Sequence, residues 1–166
     1  MTNAIRIIGL DPGLRCTGWG IVSVQGSHLT HIAHGVIKPD ATLSLAERLL
    51  ILFDAITDVL AEHQPHEAAV EETFVNNNPS STLKLGHARA AAMIAPAKAG
   101  LIVAAYSATV VKKAVVGVGN ADKTQVAFMI KRLLPTAGDP TADAADALAV
   151  AICHAHARTA RKGAAA

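Results

Sequence analysis

Apolar residues fall along this chain in two rhythms. Residues 4–11, AIRIIGLD, form a short apolar run closed by Pro12 and Gly13, which predicts a buried strand ending in a turn. TGWGIVSVQ and HLTHIAHGVIK follow, separated by Gly26 and Ser27, and predict two more strands in a meander. From Leu43 to His63 the rhythm changes. Leu45, Leu49, Leu52, Ile56, Val59 and Leu60 recur at three- and four-residue steps, the signature of an amphipathic helix. EAAVEE after Pro65 predicts a short strand, and TFVNNN a polar loop. Asn78 and Pro79 then suit the cap and first turn of a helix running from about Ser80 to Ala97. That helix is rich in alanine and contains Gly86, so its small-residue surface permits close packing. LIVAAY predicts a strand, Ser107 to Ala114 a helix, and VVGVGN a glycine loop. Asn120 is placed to cap a helix that ends before Pro135. A last helix is expected from Thr141 to Thr159. The order predicts one α/β domain on a mixed sheet, residues 1–157, with 158–166 a disordered basic and alanine-rich tail.

Composition narrows the class. The chain has 166 residues, 51% hydrophobic and 3% aromatic, so alanine and aliphatic side chains must fill the core. It carries no run of eighteen apolar residues and no charged-then-apolar leader, which predicts neither a membrane span nor a signal peptide. Cys16 and Cys153 lack metal-site or disulfide-framework spacing, and a reduced cytoplasmic protein is expected. The net charge of +2 conceals an asymmetry. Residues 1–82 hold 4 basic and 9 acidic side chains, whereas residues 83–132 hold 8 and 1. The basic section is either a polyanion surface or a set of lysines scattered over solvated helix faces.

The acidic residues sharpen the choice. Asp143 and Asp146 interrupt an otherwise apolar helix, TADAADALAVAICHAHA. They lie about 60° apart around the axis, with Cβ atoms about 5–6 Å apart. Two like charges at that separation repel by roughly 3 kcal/mol at an effective dielectric of 20. Thr141 as an N-cap accounts for Asp143 as a helix-start acid, but accounts poorly for Asp146, which lies past the first turn. Asp11 closes the first strand and Glu71 the fourth, where carboxylates project beyond a sheet edge. Each also has a plain reading, as a turn former before proline and as a solvated strand end. Glu72 points away from Glu71 if the strand persists. Together Asp11, Glu71, Asp143 and Asp146 make a set of hard oxygen ligands suited to Mg²⁺ or Mn²⁺. Two such ions activate water and stabilise the leaving oxygen of a phosphodiester.

Four segments, IIGLDPGLRCTGWGIV, AVEETFVNNNPSSTLKLGHARA, VVGVGNADKTQV and DPTADAADALAVAICHAHA, resemble the RuvC family of bacterial Holliday junction resolvases, in the family's order from about Ile5 to His156. The resemblance implies an RNase H-like fold, a five-stranded mixed sheet flanked by α-helices. It also implies a homodimer that cuts four-way DNA junctions with Mg²⁺ and leaves 5′-phosphate and 3′-hydroxyl ends. The family's four catalytic acids fall on Asp11, Glu71, Asp143 and Asp146. Some relatives carry histidine at the position of Asp143. The family's aromatic beside the junction falls on Phe74, and two of its basic DNA contacts on Lys112 and Lys123. Arg89, in the same basic section, is expected to join them. The family works with the RuvA–RuvB branch-migration complex, which is therefore an expected partner.

A junction needs two nicks and one chain has one acid cluster. The small-residue helix, through Gly86, Ala88, Ala91 and Ala92, is the candidate dimer contact. His154 lies three turns from Asp143, too far to share its metal, and is read as packed or solvent-facing. Gly117 and Gly119 either present N–H groups to a phosphate or form a plain loop. The competing readings are a junction-binding module without catalysis and an RNase H-like nuclease acting on RNA. A third, an actin-like ATPase, needs a second domain for which 166 residues leave no room.

Overall fold

A computed structural model describes residues 3–72 and 77–164. Strands β1 (Ile5–Asp11), β2 (Thr17–Gln25) and β3 (His28–Ile37) form the expected antiparallel meander. Strands β4 (Glu67–Glu71) and β5 (Val103–Tyr106) then add in parallel on the other side of β1. The five-stranded sheet has the order β3-β2-β1-β4-β5, so β1 and β4 lie side by side near its centre.

Period-2 alternation divides the core. Ile8, Leu10, Ile21, Ala68 and Val70 face helices α1 (Leu45–His63) and α2 (Pro79–Lys98). Ile7, Val22, Val24 and Ala69 face helices α3 (Ala108–Val116), α4 (Lys123–Leu133) and α5 (Ala142–Ala164). Ser44 and Glu47 close a capping box on α1, Asn78 caps α2 with Pro79 in its first turn, and Ser107 caps α3. The cap of α4 is Asp122 rather than Asn120. Its carboxylate accepts from the Gln125 N–H at 2.8 Å, while the Gln125 side chain accepts from the Asp122 N–H at 2.9 Å. Gly117 is the left-handed residue ending α3. Its N–H is spent on the Lys113 carbonyl, so it is not aimed at a ligand.

Two further expectations are corrected. Helix α5 continues to Ala164, past the predicted end at Thr159. Arg158, assigned by sequence to the disordered tail, is tied to Glu67 at 2.6 Å, and Ala160, Arg161 and Lys162 beyond it favour helix. The small face of α2 is not a free surface. Ala88, Ala91 and Ala92 are buried against α1 and the sheet in the chain's own core, and only Gly86 of the four expected contact residues is exposed. No helix among the described residues is long and apolar enough to cross a membrane.

Glycines set the height of α5 above the sheet. A Cβ on Gly9 would collide with the Ala147 carbonyl, and one on Gly18 with the Asp143 carbonyl. The helix therefore lies close on β1 and β2, with its N-terminus over the end of the sheet where β1 stops.

Candidate active site

The turn after β1 is clamped from below. Thr17, the first residue of β2, is fully buried. Its hydroxyl donates to the Gly13 carbonyl at 2.8 Å and accepts from the Gly13 N–H at 3.1 Å. Asp11 is thereby held at the sheet edge opposite Gly18. Leu10 pairs with Val70, which brings Asp11 level with Glu71 on the parallel neighbour. The start of α5, where the Thr141 hydroxyl accepts from the Ala144 N–H at 3.5 Å, adds Asp143 and Asp146 from above.

The four acids feel one another. Burial first, then the charges of Glu71, Asp146 and Asp143, push Asp11 up to about 8, and it shares a hydrogen bond with Glu71. Burial and the charge of Asp146 also raise Glu71, against the pull of that hydrogen bond and of Lys112 and Lys123. Asp146 is raised by burial, with Lys123 opposing. The Lys123 Nζ stands 3.8 Å from an Asp146 oxygen. Carboxylates raised by desolvation and mutual repulsion in a cleft mark a site whose charge is to be met by a ligand.

Asp11, Glu71 and Asp146 line a cleft of about 270 Å³ with Lys112 and Lys123, walled by Ala108, Val111, Val126 and Ala149. Asp143 lines a second groove, of about 790 Å³, together with Arg15, Arg48 and Lys84. The Cys16 thiol donates to Asp143. Burial and that contact push the thiol up to about 11, which favours the protonated, hydrogen-bond-donating form. Among the described residues no three acidic, histidine or cysteine side chains already form a metal shell. Glu72 is exposed, with its N–H on the Tyr106 carbonyl, and lines neither groove.

Of the expected DNA contacts, Lys112 and Lys123 are at the cleft. Arg89 lines neither groove, and its buried Nε has no hydrogen-bond partner among the described residues. Phe74 lies outside the described residues. Sequence reasoning missed Cys16, Arg15 and Arg48. The last two lie in the acidic first half of the chain, where segment charge counts point away from them. It also missed the partners of His154, which is buried between Tyr106 and Glu67.

The family model described as crossover junction endodeoxyribonuclease RuvC matches residues 7–154. The chain belongs to the RuvC family. It is 68% identical over 157 residues to the crossover junction endodeoxyribonuclease RuvC of Caulobacter vibrioides, covering 95% of this chain and 93% of that one. The RuvC of Rhodospirillum rubrum is 62% identical over 154 residues, covering 93% and 91%. Thermus thermophilus RuvC, solved in complex with a Holliday junction substrate, superposes with a TM-score of 0.87 at 33% identity, covering 94% of this chain and 96% of that one. The fold is RNase H-like, as the resemblance implied.

Proposed function

We propose that this chain resolves four-way DNA junctions by metal-assisted hydrolysis, making paired nicks that leave 5′-phosphate and 3′-hydroxyl ends. The observation that carries the reading is the convergence of Asp11, Glu71 and Asp146 beside Lys112 and Lys123, with Asp143 acting on Asp11 through its charge from the adjoining groove. The donor set fits hard divalent cations. It offers four carboxylates, and Asp11 is raised to about 8 by burial and by its three acidic neighbours, a site short of positive charge. Asp11, Glu71, Asp143 and Asp146 would hold Mg²⁺, which Mn²⁺ replaces, two ions to a site. Bound there, such ions lower the pKa of the attacking water and stabilise the leaving 3′-oxygen.

The chain's own groups do the rest. Lys112 and Lys123 draw the phosphodiester into the cleft and offset its charge next to the acids. Lys123 is exposed and lies near Asp146, so its ammonium exchanges between carboxylate and phosphate. Asp11 and Glu71 give up the proton they share before they can act as ligands. Arg15, Arg48 and Lys84 extend the positive surface past Asp143 and would carry the continuing strand.

Two nicks in symmetry-related strands call for a twofold homodimer. The contact proposed is the outward stripe of α2, where Leu83 (66% exposed) and Ile94 (56% exposed) flank exposed Gly86 and Ala90. The double substitution Leu83→Arg, Ile94→Arg should shift sedimentation to the monomer and uncouple the two nicks on a cruciform plasmid. We propose further that it acts in the cytoplasm, on junctions delivered by RuvA–RuvB. The deciding experiment is incubation with a mobile four-way DNA junction and Mg²⁺, with products mapped on all four strands. Paired symmetric nicks are expected on the junction and none on an RNA–DNA hybrid. Cleavage of the hybrid at a comparable rate would overturn the proposal.

A further inference from the structure

Helix α5 carries a second polar contact with β4, far from the cleft. The His154 Nε2 donates to a Glu67 oxygen at 2.8 Å, and the Arg158 Nε donates to the other at 2.6 Å. The His154 Nδ1 meets the Tyr106 hydroxyl at 2.7 Å. The His154 side chain is only 9% exposed, and both of its nitrogens are satisfied inside the protein. The cluster joins β4, β5 and α5, three elements that also build the cleft or its border.

Its position along those elements is what matters. Glu67 and Glu71 are four residues apart on the same face of β4, a separation of about 13 Å. His154 lies eight residues beyond Asp146 on α5, about 12 Å along the axis. The helix runs opposite to the strand, so the rungs match. When His154 is on Glu67, Asp146 is level with Glu71. Between the rungs the contact is apolar, through Ala69, Ala149, Val150 and Cys153. Apolar packing is non-directional and resists sliding weakly. The glycine seats on β1 and β2 fix how close the helix lies, whereas hydrogen bonds with a defined donor and acceptor fix where along the strand it stops. Replacing a buried ion-paired network by hydrocarbon is commonly neutral or stabilising. Stability alone is therefore a poor reason for four polar side chains to meet here.

We infer that Glu67, His154, Tyr106 and Arg158 form a register lock that sets the axial position of α5, with His154 a positioning residue for the carboxylates of Asp146 and Glu71. The inference rests on the metal-assisted reading of the cleft. Its consequence is that loosening the lock weakens cation binding without touching DNA contacts.

The test measures Mn²⁺ binding to the whole, DNA-free protein by electron paramagnetic resonance. Junction binding in EDTA is the control, and circular dichroism the check on folding. In His154→Ala, Mn²⁺ affinity should fall about tenfold, the usual scale for removing a group that orients metal ligands, while EDTA-condition junction binding stays within about twofold. His154→Gln should recover most of the loss, because its amide can donate to Glu67 and accept from Tyr106. Should His154→Ala fail to fold, Glu67→Gln, which keeps shape and removes the charge, carries the same expectation. Unchanged Mn²⁺ affinity in the folded variant would overturn the lock, and so would a loss that His154→Gln does not recover. Wild-type protein that binds no Mn²⁺ at all would overturn the metal reading, and the lock with it.

Discussion

Glu67 and Glu71 occupy one face of one short strand, under one helix, and their carboxyls move in opposite directions. At Glu67 burial works against ionisation, but hydrogen bonds from Arg158 and His154 prevail and hold the carboxyl below its usual range. At Glu71 burial and the charge of Asp146 prevail, and the carboxyl is raised even with Lys112 and Lys123 nearby. The cost of burying an acid has thus been met within the protein at one end of β4 and left open at the other. The difference separates architecture from chemistry. A satisfied carboxylate holds elements together, and on the proposed reading the unsatisfied one would take a cation.

The largest expected effect breaks the unsatisfied end. On the proposed reading these acids would hold metal and repel phosphate, so Glu71→Gln and Asp146→Asn should each lower cleavage by about a hundredfold or more, while junction binding stays within a few-fold. A variant that cleaves at more than about a tenth of the wild-type rate would remove its residue from the metal set.

Next comes a pH slope of opposite sign at the two ends. In metal-free protein Asp11 is raised from 3.8 to about 8 by burial and by the neighbouring acids. The folded state therefore holds a proton that the unfolded chain has lost, and stability from this group is full below about pH 4 and disappears as pH rises through about 8. Glu67 is lowered, so its contribution is present above the ordinary carboxylate range and is lost as pH falls. Metal-free Tm should drop by several degrees between about pH 6 and about pH 9. Mg²⁺ should abolish the drop, and Asp11→Asn should flatten it. A metal-free Tm that rises over that interval would mean that the cluster is not protonated as described.

The lysines that face the unsatisfied end should show a smaller, graded effect. Lys112→Ala and Lys123→Ala should weaken junction binding on any sequence and reduce the slope of log affinity against log salt by about one unit each. An unchanged slope would place that side chain away from phosphate.

Much of this site is legible in the sequence because each acid sits where a pattern breaks. Asp11 and Glu71 end apolar runs, and Asp143 and Asp146 interrupt an apolar helix. The satisfied end is illegible for the complementary reason. Glu67 opens β4 like any solvated strand end, and His154 carries no motif. Their meeting depends on an antiparallel helix crossing at a particular height, which glycines 9 and 18 decide by close approach. The alanines of α2 misled for a related reason. Small residues announce close packing but not the partner, and here Ala88, Ala91 and Ala92 pack inward while Leu83 and Ile94 face out.

The smallest effect tests the strand register on which the comparison stands. Successive side chains of β4 alternate, so Glu67, Ala69 and Glu71 face α5 while Ala68 and Val70 face α1 and α2. Glu72 follows the strand's last residue. Its N–H is bound to the Tyr106 carbonyl at 2.8 Å, and its side chain is exposed. A solvated carboxylate in this position lacks the burial that Glu71 has. Glu72→Gln should therefore leave cleavage, metal-free pH slope and Mn²⁺ affinity all within about twofold of wild type, as expected for an exposed side chain outside the site. The measurement is sharp because the two glutamates are chemically identical and adjacent. Loss of cleavage in Glu72→Gln with retention in Glu71→Gln would shift β4 by one residue, turn Glu67 away from α5, and dissolve the pairing of the two ends.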